Sequence, residues 1–123
     1  MITGKNYIGN NLSGTGNKIH KTFNSKSNNE NPTNFIEVTS KEINQAVDLA
    51  DEAFQVYKNI SGKEKSIFLN CIADKILALG DELIEVFMLE SGLPEARAIG
   101  ERSRTIFQLQ SFAEMIKNDD WKN

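Results

Sequence analysis

The chain has 123 residues with 14 Lys and Arg against 17 Asp and Glu, a net charge of −3, one His, one Cys, 39% hydrophobic residues and 25% charged residues. That composition is globular and allows one domain of ordinary size, and its acidic balance argues against a nucleic-acid-binding role, which needs a basic surface. One Cys and one His supply neither an internal disulfide nor a metal-ligand set. No apolar run approaches the roughly 20 residues that span a bilayer, and residues 1–11 lack the apolar core of a secretory signal, so a cytoplasmic protein without membrane contact is expected.

Composition changes near residue 40. Residues 1–40 hold nine Asn, four Gly and four Lys against two Glu, whereas residues 41–123 hold 10 Lys and Arg against 15 Asp and Glu and most of the helix formers. Asn and Gly favour turns and left-handed backbone. The expected organisation is therefore a strand-and-turn lead-in over 1–40 and a helical part over 41–123. Candidate strands fall at residues 6–8, 19–24 and 35–37, separated by Ser13-Gly14-Thr15-Gly16-Asn17 and by residues 26–34. A single β-hairpin is the simplest pairing, and so small a pair needs other elements to rest on.

The helical signals are stronger. Thr39-Ser40-Lys41-Glu42 and Ser61-Gly62-Lys63-Glu64 both have the S/T-x-x-E form of a capping box. Behind the first, Ile43, Ala46, Val47, Ala50, Ala53, Phe54 and Tyr57 repeat with the helical period; behind the second come Phe68, Leu69, Ile72, Ile76 and Leu79. Gly80 reads as a stop. Asp81 reads as a cap for a turn-rich helix with Leu83, Ile84, Phe87 and Met88, ending at Ser91-Gly92. Pro94 reads as the first position of a helix over 95–117. The expectation is a β-hairpin followed by three long helical segments, mostly α.

Most chemically suggestive residues have a plainer reading. Cys71 sits among Leu69, Ile72 and Ala73, where a small core-filling residue is expected rather than a nucleophile, which needs a partner base. His20 alternates with Ile19 between two lysines and reads as an exposed strand residue. Ser13-Gly14-Thr15-Gly16-Asn17-Lys18-Ile19 starts like a dinucleotide-binding fingerprint, but Ile19 stands where a third glycine belongs and no helix follows, so a hairpin turn explains it better. Asn11-Leu12-Ser13 and Asn59-Ile60-Ser61 match the glycosylation sequon but have no secretory context. The densest charge group is Arg97, Arg102 and Arg104 with Glu95 and Glu101. It reads either as a solvated helix face with weak ion pairs or as a guanidinium cluster that takes a carboxylate. No catalytic, cofactor-binding or metal-binding residue emerges from spacing alone.

The ordered wording of the chain nevertheless resembles the N-terminal portion of the NAD(P)-dependent aldehyde dehydrogenase family. The resemblance runs from Ile2-Thr3-Gly4 and Tyr7-Ile8-Gly9 through Phe23-Asn24, Phe35-Ile36-Glu37 and Leu79-Gly80-Asp81 to Glu90-Ser91-Gly92-Leu93-Pro94. Its most specific stretch is Leu93-Pro94-Glu95-Ala96-Arg97, then Gly100-Glu101-Arg102, Arg104-Thr105, Gln108-Leu109 and Phe112-Ala113. That wording is similar to the branch acting on α-ketoglutarate semialdehyde, usually with NADP. Ser25-Lys26-Ser27, Ser103 and Gln110 depart from the family pattern.

The resemblance implies an α/β parent enzyme with a Rossmann-like cofactor domain, a catalytic domain and an oligomerisation arm. It also implies a cysteine nucleophile and a glutamate base. None of these catalytic or NAD(P)-binding residues falls at a position of this chain, which is expected to be inactive alone and to bind no cofactor alone. The expected partners are the remainder of the dehydrogenase chain or an intact homologue, in a homo-oligomeric parent. A non-enzymatic helical interaction or remnant protein docking onto an intact partner is the alternative. The resemblance also places the helix over 95–117 near the substrate entrance, which makes Arg102 and Arg104 the candidates for drawing in an acidic aldehyde. Phe54, Phe68, Ile72, Phe107 and Phe112 are expected to lie on exposed faces and to favour loose packing or self-association.

Overall fold

A computed structural model describes residues 3–118, which fall into two compact units divided between Asn59 and Ile60. The first unit begins with two antiparallel hairpins. Strands β1 (Asn6–Ile8) and β2 (Asn11–Ser13) pair with Asn6 opposite Ser13 and Ile8 opposite Asn11. Their two-residue loop, Gly9-Asn10, turns on Gly9 at φ 58°, a backbone region in which a side chain is strained. Strands β3 (Ile19–His20) and β4 (Phe35–Ile36) pair with Ile19 opposite Ile36 and His20 opposite Phe35.

These pairs are tied together by backbone bonds. Ile36 N donates to Gly4 O at 2.9 Å and Glu37 N donates to Lys18 O at 2.9 Å. The Asn6 side-chain amide donates to Ile36 O at 3.1 Å. The connection between β3 and β4 closes on a bridge between Phe23 and Glu30. Within it, Asn24 Oδ1 accepts from the backbone N–H groups of Lys26 and Ser27, and Asn28 takes a left-handed φ of 56°. Asn31, 2% exposed, donates to Thr22 Oγ1 at 3.0 Å.

Helix α1 (Ser40–Tyr57) completes this unit and packs on β1. Its capping box forms as the spacing requires: Thr39 Oγ1 accepts from Glu42 N at 3.2 Å, and Glu42 Oε2 accepts from Thr39 N at 2.8 Å.

The second unit is three helices, α2 (Gly62–Ala78), α3 (Gly80–Ser91) and α4 (Glu95–Ile116). The second capping box forms between Ser61 and Glu64, and Gly92 ends α3 in the left-handed conformation at φ 69°. The most extensive helix contact is α2 with α4. Ala73, Ala98, Ala113 and Ser66 are all buried, small side chains that let helix backbones approach closely.

The mostly helical expectation holds, with corrections of detail. There are two hairpins rather than one and four helices rather than three long segments among the described residues. The Ser13–Asn17 stretch is not a hairpin turn: β2 ends at Ser13 and the next residues join the two hairpins. Gly14 and Gly16 are needed there because β4 runs alongside; a Cβ on Gly16 would stand 2.0 Å from Glu37 O. The strand expected over 19–24 is two residues long.

Asp81 does not cap α3. Leu79 ends α2 and starts α3 in one helical conformation, and Gly80, at φ 56°, makes the break as the first residue of α3. Pro94 is the cap residue of α4, with extended ψ of 157°, and Glu95 is the first helical residue. Cys71 is exposed rather than core-filling, because the inward-facing positions of α2 are taken by Ser66 and Ala73. Ile72 is half-buried, whereas Phe54, Phe68, Phe107 and Phe112 are exposed as expected.

Candidate functional site

Helix α4 carries the only dense charge group among the candidates, and its periodicity divides that group. Arg97, Glu101 and Arg104, spaced four and three apart, share one stripe; Arg102 points elsewhere, since neighbours one or two apart on a helix do not face each other. Glu101 Oε1 accepts from Arg97 Nη2 at 2.8 Å. Its Oε2 accepts from Arg104 Nε at 2.9 Å and Nη2 at 2.7 Å. The Arg104 hydrogen bonds and charge, with the Arg97 charge, hold the Glu101 carboxyl below its usual range against the opposing effect of burial. The guanidinium side chains of Arg97 and Arg104 are 64% and 63% exposed.

Arg102 is half-buried and donates from Nη1 to Gly80 O at 3.0 Å. It thereby supports the sharp α2–α3 corner, where Gly80 has no side chain to do so. Sequence reasoning grouped Arg102 with Arg104, and the structure separates them: one guanidinium braces a helix corner, the other is held by Glu101.

Beside Arg102 lies a cavity of about 270 Å³. Ile76 and Leu79 line it from the end of α2, and Leu83, Ile84 and Phe87 from α3. Ala98 continues the apolar lining from α4, which also contributes Glu101, Arg102 and Thr105, the polar members. Nothing in the chain order announced this cavity, because its walls come from three helices and the corner between two of them.

A second polar cluster lies in the first unit. Glu42, 3% exposed, accepts from the Ser13 hydroxyl, from Thr15 N at 3.2 Å, and from Thr39 N and Oγ1 at 2.8 and 2.7 Å. The Ser13 hydroxyl is the largest influence, followed by the Thr39 N–H and hydroxyl; with the Thr15 N–H they outweigh burial and bring the carboxyl down to about 2. The capping role was legible in the sequence. The two bonds from residues 27 and 29 positions upstream were not. Glu42 is thus a structural node with its lone pairs already engaged.

The remaining candidates, His20 and Cys71, belong to different units. His20 is exposed and stacks on Phe35 with ring centroids 5.4 Å apart. Cys71 has no His in its unit, since His20 is the chain's only one. No cluster of three or more His, Cys, Asp or Glu suited to a metal occurs among the described residues, and no helix there is long and apolar enough to cross a membrane.

The aldehyde dehydrogenase family model matches residues 12–123. Among curated proteins, the chain is 44% identical over 77 residues to alpha-ketoglutaric semialdehyde dehydrogenase 2 of Azospirillum brasilense, covering 63% of this chain and 15% of that protein. It is 38% identical over 87 residues to alpha-ketoglutaric semialdehyde dehydrogenase of Acinetobacter baylyi, covering 71% of this chain and 16% of that one. It is 34% identical over 62 residues to the NADP(+) succinate-semialdehyde dehydrogenase 2 of Schizosaccharomyces pombe, covering 50% and 13%. The chain therefore spans 15–16% of the length of the first two relatives. With the family model matching nearly its whole length, the chain belongs to the aldehyde dehydrogenase family.

Proposed function

We propose that this chain is the N-terminal segment of a cytoplasmic enzyme that oxidises α-ketoglutarate semialdehyde to the carboxylate with NAD(P), and that it has no activity alone. The observation that carries this reading is the 44% identity over 77 residues to a dehydrogenase named for that substrate. In this reading the remainder of the parent supplies a Rossmann-like cofactor domain, the catalytic thiol and the homo-oligomeric interface.

The fingerprint-like glycines do not fit the nicotinamide cofactor. Gly14 and Gly16, the fingerprint-like pair, are filled against β4, with the Gly14 Cβ direction 2.7 Å from Ile36 Cδ1 and that of Gly16 2.0 Å from Glu37 O. No helix N-terminus follows them to receive a phosphate. No chemical step is assigned to residues of this chain.

Arg104 is the candidate for drawing the acidic aldehyde, and Arg102 the second. Glu101 occupies the Nε–Nη2 edge of Arg104, leaving the Nη1 side of the fork turned away from that carboxylate. The test is an exchange of the matching segment in the A. brasilense relative for this one, with NAD(P)H formation as the readout. Arg104→Ala in that chimera is expected to raise KM for the acidic aldehyde more than for propanal. Equal changes for both remove Arg104 from substrate recognition.

A second reading, a helical module that docks onto an intact dehydrogenase, is supported by the exposure of Phe68, Phe107 and Phe112 on α2 and α4. An antibody against residues 93–113 separates the two in extracts. A band several-fold heavier than 13.8 kDa supports the enzyme segment, and a band at that mass supports the module.

A further inference from the structure

We draw no further inference here: the strongest candidate, the exposed apolar stripe that Ile43, Val47, Ala50, Phe54 and Tyr57 form along α1, is an unpartnered helix face, and nothing in the structure shows what covers it.

Discussion

Glu42 shows how one residue can serve two distances along the chain. Its backbone N–H and its carboxylate complete a local cap with Thr39, while the same carboxylate takes Ser13 and Thr15 from the strand region. Thr39→Ala removes the local half; an N-cap of this type contributes about 1 kcal/mol, and the urea midpoint of the variant should fall accordingly. The long-range half is visible in acid. Glu42 titrates at about 2 in the folded chain against 4.5 ordinarily. Its stabilising contribution is therefore complete above pH 4.5 and is lost as pH falls towards 2. Carbon NMR of the Glu42 carboxyl should give a midpoint near 2. Glu42→Gln should flatten the acid limb of the stability curve without abolishing it, because Glu64 and Glu101 are also held below their usual values.

At the scale of elements, glycines separate what the chain needs from what it merely contains. Gly16 admits β4 beside it, and a methyl group there would overlap Glu37 O. Gly16→Ala is expected to cost about 1–3 kcal/mol, the usual range for forced overpacking. Gly100 lies inside α4 with open space around its Cβ direction. Gly100→Ala should raise stability by about 0.5–1 kcal/mol, because alanine loses less backbone freedom on entering a helix. Thermal melts of the two variants against the parent chain check both signs. The helices themselves were legible because caps and periodicity are local: both boxes formed at their expected residues. Strand β2 was not legible, since Asn11-Leu12-Ser13 carries one apolar side chain and owes its pairing to the Gly9-Asn10 turn. Asp81 was misassigned because the turn at Gly80, with φ 56°, starts α3 one residue earlier and makes Leu79, which has no side-chain cap hydrogen bond, the cap residue.

Across the molecule, apolar surface is arranged for more contact than these residues make among themselves. Among the described residues the buried hydrophobic ones are Ile8, Ala73, Ile84, Ala98 and Ala113, three of them alanines. Phe54, Phe68, Phe107 and Phe112 are between 51% and 68% exposed. Exposed aromatics on this scale mark an interface or a tendency to associate. The chain alone should bind a hydrophobic dye and sediment faster with rising concentration, and Phe107→Gln with Phe112→Gln should reduce both while leaving the far-UV signal of the helices intact. A sharp cooperative melt with no dye binding would contradict this.

The family, the helical character and the two capped helix starts were determined by the sequence itself, because they depend on residues within a turn or two of one another or on ordered wording along the chain. The tertiary structure decided the rest. It moved Cys71 to the surface and placed Arg102 on a helix corner while Arg104 stayed with Glu101. It also gave Glu42 its partners from the strand region and opened a cavity among three helices. Each of those outcomes depends on groups far apart in the chain meeting in space, and neither periodicity nor spacing carries that distance.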